Sequence, residues 1–161
     1  MTSVTIRPLK DEDRAAWLGL RQALWMGSDA TTRAAEDGTL LNEPRRYGAI
    51  AYAVLLAHNE GQVVGFVEVS LRDDLEGFGG EPVGYVEGVY VGPRQEGRGL
   101  GRALLDAAAR WSQARGAGQL ASDVLPDNPA SLAFHERCGF RRVGHTGAGD
   151  TRQILLARTA G

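Results

Sequence analysis

Apolar and polar positions alternate over Val4–Leu9, which predicts a short strand, because successive side chains of a strand face opposite ways. Acids at 11–13 lead into a run where Trp17, Leu20, Leu24 and Trp25 recur near helical spacing, predicting an amphipathic helix over 11–25. A weaker helical pattern covers Thr31–Leu41 and ends before Pro44. Two β-rich runs follow, 49–57 and 62–72, and the Asn59, Glu60 and Gly61 between them suit a hairpin turn. Residues 73–82 form a glycine-rich loop, and 82–91 reads as another strand. A second glycine loop, 93–101, opens into a helix over 102–116, rich in strong helix formers and stopped by Gly116. Residues 119–125 read as a strand, 127–139 as a helix, and the remainder as two strands around 140–146 and 151–158. This order predicts an α/β fold: a mixed central sheet flanked by helices.

Composition narrows the picture. At 161 residues and 43% hydrophobic, the chain suffices for one core and not two, so 1–161 reads as a single domain. No apolar run approaches the roughly 20 residues a membrane span needs. The N-terminal stretch turns acidic where a signal peptide turns apolar, so a cytosolic chain without a membrane partner is expected. Cys138 is the single cysteine; it reads as a packing residue at a helix end, no motif supporting a nucleophile. His58 and His145 stand without metal-ligand spacing, so no metal is expected.

The net charge of −2 conceals a division. Residues 28–90 carry 11 acids against 4 arginines, whereas 91–161 carry 10 arginines against 6 acids. Separate handling of phosphates and of a cationic substrate would produce such asymmetry, and so would ordinary solvated surface. Nucleic acid is not an expected partner, because the chain is net acidic and its arginines lack interleaved aromatics.

The run Val89-Tyr90-Val91-Gly92-Pro93-Arg94-Gln95-Glu96-Gly97-Arg98-Gly99-Leu100-Gly101-Arg102 passes from a strand through a glycine turn into a helix. Such a turn offers backbone N–H groups and a helix dipole to a pyrophosphate. It is no P-loop, because no Lys-Ser/Thr follows the last glycine. The run 87–105 resembles the acetyl-CoA-binding motif of the GNAT N-acetyltransferase superfamily, and 127–140 resembles its second signature, an Asn-led helix ending in Gly-Phe. The resemblance covers nearly the whole chain. It implies acetyl-CoA in a cleft between the fourth and fifth strands, bound by Val89, Tyr90, Val91, Gly97, Arg98, Gly99, Leu100, Gly101, Arg102 and Asn128. Glu96 departs from the Arg or Gln of relatives and puts a side-chain contact there in doubt.

Residues 17–25, 69–72, 82–91 and 121–128 together resemble the aminoglycoside 6′-N-acetyltransferases. That likeness implies transfer of an acetyl group to a primary amine of a small polycation, in a homodimer, with Trp25, Leu75, Glu87 and Asp123 lining the aminosugar site. Glu87, on the strand entering the cofactor loop, and Asp123, at the end of the next, can both reach a crevice at the strand ends. Glu87 would accept the proton of the attacking amine, and Asp123 would hold further positive charge. Each also has a plain reading: a surface carboxylate for Glu87, a capping or turn acid for Asp123, a core residue for Trp25. His135 replaces the usual tyrosine of the family, as an acid for the departing thiolate, a CoA contact or a packing residue. Leu75 stands where relatives often place an aromatic, and Gly144 where the resemblance implies an acid; both bear on which amine is preferred. Rival readings are the same fold acting on another amine, such as a polyamine, an amino acid or a protein N-terminus, and a non-catalytic acyl-CoA-binding module.

Overall fold

The computed structural model describes residues 4–25, 31–95 and 97–161. Strand β1 (Val4–Pro8) leads through a 3₁₀ turn at Asp11–Asp13 into helix α1 (Arg14–Leu24). The acids expected to open the helix form that turn instead, where Asp13 accepts the Lys10 backbone N–H at 3.0 Å. Arg7 bonds the same carboxylate at 2.7 Å and holds it well below the usual carboxylate range. The single weak helix expected over 31–41 is two, α2 (Thr32–Asp37) and α3 (Thr39–Asn42). Gly38 takes a left-handed conformation between them (φ 84°), and Asp37 accepts the Thr39 backbone N–H at 2.9 Å, so the chain stops and restarts within one residue.

Strands β2 (Ala51–Asn59) and β3 (Gln62–Arg72) form the expected hairpin. Glu60 and Gly61 both have positive φ, 52° and 81°, matching the right-handed twist of the flanking strands. After β4 (Val83–Val91) come α4 (Leu100–Gln113), β5 (Gln119–Val124), α5 (Pro129–Arg137), β6 (Arg141–Thr146) and β7 (Gln153–Thr159). Helix α4 starts two residues before the sequence pattern suggests, because left-handed Gly99 (φ 75°) ends the loop and Leu100 is already buried.

The sheet runs β1-β2-β3-β4-β5-β7-β6. Pairs are antiparallel except β4 with β5, which α4 joins as a crossover. One face packs against α4 and α5 through Val67, Val69, Leu104, Leu105, Leu120 and Phe140. The other packs against α1–α3 through Trp17, Leu40, Leu56 and Phe66. None of the described helices is long and apolar enough to cross a membrane.

Strand β4 is irregular on both of its edges. Opposite β3 the register slips between Glu68 and Val69, so that Glu68 faces Gly88, Val69 faces Val86, and Glu87 is the extra residue of a bulge. Opposite β5, only Gly84 and Tyr85 are paired, with Leu120 and Ala121. Beyond them the two strands separate, while β5 remains paired with β7 as far as Val124.

Candidate active site

On one side of the divergence lies a cleft of about 420 Å³, lined by Val91, Gln95, Gly97, Gly99, Leu100, Gly101, Arg102, Phe134, Arg137 and Cys138. Gly97 (φ 76°) and Gly99 (φ 75°) hold left-handed turns, and a Cβ at either would meet nothing within 4 Å, so the backbone lies open to a ligand. The side-chain oxygen of Gln95 is buried there without a hydrogen-bond partner among the described residues. Arg102 and Arg137 add positive charge, and α4 points its N-terminus at the space. An open glycine turn, a helix start and two guanidinium groups suit a pyrophosphate, so the cradle fits the expected cofactor.

Six of the ten expected cofactor residues line this cleft: Val91, Gly97, Gly99, Leu100, Gly101 and Arg102. The Val89 side chain packs on the α4 face and Tyr90 lies near Phe66 on the other, and neither lines the cleft. Arg98 is exposed at the rim, and the Asn128 side chain caps α5 by accepting the Ser131 N–H at 3.1 Å. Glu96 lies outside the described residues. Gln95, Phe134, Arg137 and Cys138 were not anticipated. Phe134 comes close because Gly101 has no side chain: a Cβ there would stand 2.8 Å from its ring.

On the other side lies an acid-rich cleft of about 470 Å³, lined by Arg72, Asp74, Leu75, Glu76, Tyr85, Glu87, Asp123 and Thr146. It unites three of the four residues expected at the amine: Leu75, Glu87 and Asp123. The Tyr85 hydroxyl donates to Asp123, whose carboxyl is pushed up, chiefly by burial and further by the charge of Glu87. Glu87 is held differently. Ser70 Oγ (2.6 Å), Arg72 Nε (3.1 Å) and Arg72 Nη2 (2.9 Å) all donate to its Oε2.

Trp25, at the end of α1, does not line this cleft but lies beside it on the α1–α3 face of the sheet. Its ring lies flush on β4, where a Cβ on Gly88 would come within 2.5 Å of it. Arg21 stacks over the ring at 4.3 Å and bonds the buried Glu68 at 2.9 Å, which also accepts from Trp17 and Tyr52. The tryptophan therefore serves the core and borders the bulge at once.

His135 is only 3% exposed and is absent from both clefts. Its Nδ1–H donates to the Ser131 carbonyl at 2.8 Å, and Nε2 accepts from the Ser122 hydroxyl at 2.9 Å. Burial pushes its pKa down, against any imidazolium acid. With Phe134 and Phe140 edge-on at 5.6 and 5.1 Å, it is placed as a packing residue. Cys138 is buried, and burial raises its thiol pKa, the reverse of an activated nucleophile.

Known proteins match this arrangement. Residues 14–140 fit the model of the acetyltransferase (GNAT) family. An aminoglycoside N(6')-acetyltransferase type 1 of Stenotrophomonas maltophilia is 39% identical over 140 residues, covering 86% of this chain and 87% of that protein. One of Klebsiella aerogenes is 34% identical over 143 residues, covering 88% and 92%. Among solved structures, the aminoglycoside N-acetyltransferase AAC(6')-Iy in complex with CoA superposes with a TM-score of 0.80 at 29% identity, covering 92% of this chain and 95% of that one. The same enzyme in complex with the bisubstrate analogue CoA-S-monomethyl-acetylneamine gives 0.79 at 29% identity, covering 91% and 97%. A glycine turn opening α4, two strands that part behind it and sequence agreement along most of the length have one joint meaning: this chain belongs to the acetyltransferase (GNAT) family.

Proposed function

We propose that the protein transfers the acetyl group of acetyl-CoA to the 6'-amine of an aminoglycoside, directly, within a ternary complex. The observation that carries this reading is the meeting of two chemically opposite clefts at β4. One is a glycine cradle with Arg102 and Arg137; the other holds Asp74, Glu76, Glu87 and Asp123. A polyanionic cofactor and a polycationic acceptor are thereby drawn to opposite sides of one strand. The similarity to aminoglycoside N(6')-acetyltransferases supports the choice of amine.

In the reaction the neutral amine nitrogen attacks the thioester carbonyl, a C–N bond forms, the C–S bond breaks, and the amine loses one proton as the thiolate takes one up. Glu87, directly or through water, receives the amine proton, because its Oε1 has no hydrogen-bond partner among the described residues. Asp123 holds positive charge on the acceptor. Trp25 and Leu75 bound the aminosugar. His135 has no chemical role in this reading. The homodimer is part of the proposal on resemblance alone, and the cytosolic location on the sequence reading given above; light scattering in solution tests the dimer.

Thiol release from acetyl-CoA, measured with a panel of amines, tests the function. Kanamycin or tobramycin should be acetylated, and an analogue with a hydroxyl at the 6' position should not, with mass spectrometry placing the acetyl group on the 6'-nitrogen. Turnover of polyamines or peptides alone would favour the same fold with another acceptor. Binding of acetyl-CoA without turnover of any amine would leave a binding module.

A further inference from the structure

Glu87 has an asymmetric environment. All three of its donors, Ser70 Oγ, Arg72 Nε and Arg72 Nη2, converge on Oε2 at 2.6, 3.1 and 2.9 Å. Oε1 receives nothing from the described residues, and the side chain is 22% exposed at the acid-rich cleft. The buried Glu68 of the neighbouring strand, by contrast, has both oxygens occupied, by Trp17, Arg21 and Tyr52. One carboxylate is closed and structural. The other is half-open.

The guanidinium that closes Oε2 is itself fixed. Arg72 Nη1 donates to the Gly48 carbonyl at 2.9 Å, and Gly48 stands in a left-handed turn (φ 79°) after the 3₁₀ segment Pro44–Tyr47. Ser70 Oγ also accepts from Arg72 Nε at 3.0 Å while it donates to Glu87. The planar guanidinium thus spans two anchors, the loop carbonyl on one arm and the carboxylate on the other. A lysine ammonium would not reproduce that fork. Because Glu87 is the extra residue of the β4 bulge, its own backbone has less regular pairing to hold it, and side-chain contacts carry more of its orientation.

We propose that Arg72 is a positioning residue for acyl transfer. By occupying Oε2 it fixes the carboxylate so that Oε1 alone meets the incoming amine, and by its charge it excludes a second substrate ammonium from that side of the cleft. Other positive charges of the acceptor are left to Asp123, Asp74 and Glu76. This inference rests on the proposed role of Glu87 as proton acceptor.

The test is a double-mutant cycle on the full chain, with kanamycin and acetyl-CoA as substrates and thermal melting as the control for folding. Arg72→Gln should lower kcat for kanamycin by about tenfold or more while the acetyl-CoA KM stays within about twofold, since the group acts on proton transfer and lies outside the cofactor cleft. Arg72→Lys keeps the charge without the fork and should recover only part of the loss. In the Glu87→Gln background, Arg72→Gln should cost no further kcat, because a residue acting on proton transfer through Glu87 has nothing left to act on. Full additivity of the two losses would overturn the proposal, as would unchanged kcat in Arg72→Gln. Should Arg72→Gln fail to fold, the lysine variant decides: wild-type kcat in a normally melting Arg72→Lys also overturns it. If Glu87→Gln keeps its kcat, the assignment of Glu87 falls and this inference with it. If Glu87→Gln is impaired while Arg72→Gln is not, only the inference falls.

Discussion

Asp123 carries two opposed demands on one carboxylate. Burial raises its pKa, and Glu87 across the cleft raises it further, so the folded protein binds this proton more tightly than the unfolded chain. Stability therefore falls as pH rises from the unfolded value through the raised folded one, so that above the unfolded value this carboxyl subtracts from stability. Asp123→Asn should melt higher than the native protein at pH 7, and that gain should shrink as pH drops below about 4, where both states are protonated. The same variant should lose about ten- to a hundredfold in kcat/KM for aminoglycoside, the value of about 1.5–3 kcal/mol for a hydrogen bond to a charged group, with acetyl-CoA use little changed. A variant that melts lower at pH 7 would contradict the burial argument. At this scale the sequence was informative where a residue lies in a contiguous motif: Gly97, Gly99 and Arg102 are neighbours along the chain and in the cleft. It was silent on Arg72 and Arg137, whose roles depend on what the fold sets opposite them. It left the role of His135 open, because spacing cannot tell an exposed imidazole from one enclosed between Ser122 and Ser131.

Among the elements, α1 and β4 are fitted to one another through an absence of side chain. Gly88 leaves room for the Trp25 ring, and a methyl there would meet Trp25 carbons at 2.5 Å and Leu24 Cδ2 at 2.9 Å. Gly88→Ala must therefore displace the end of α1. The expected cost is about 1–3 kcal/mol, as for other overpacked sites, with a raised aminoglycoside KM and an unaltered KM for acetyl-CoA. Melting together with steady-state kinetics checks both. Unchanged aminoglycoside kinetics in a destabilised variant would show that Trp25 belongs to the core alone. Helix α1 was legible from the recurrence of Trp17, Leu20 and Leu24, and the β2–β3 hairpin from Asn59-Glu60-Gly61. The break at Gly38 was missed, because a single glycine is tolerated in a helical pattern until a neighbour such as Asp37 caps the next turn. The bulge at Glu87 was not legible either, since register is a property of two strands.

At the scale of the whole molecule, the uneven charge along the chain becomes a division in space. Acids from 74, 76, 87 and 123 share one cleft, and arginines 102 and 137 share the other. Added salt should raise the KM for a polycationic acceptor, and more steeply in the native enzyme than in Asp123→Asn, because screening weakens an attraction the variant has partly lost. Equal slopes would make the acidic cleft a solvated surface. The sequence order of strands and helices was enough to predict a mixed sheet; the insertion of β7 between β5 and β6 was not visible, because nothing local specifies which edge a returning strand selects. Nor was the parting of β4 and β5 after Tyr85. That parting makes the sheet two ribbons joined by a short seam, with an unzipped margin of β4 inside the molecule instead of at its rim. Amide protons along that margin should exchange with deuterium fast in the free protein and slowly once acetyl-CoA fills the gap. The ligand then acts as the missing rung between the ribbons, and at about 100 times its Kd it adds about 2.7 kcal/mol to the stability of the whole.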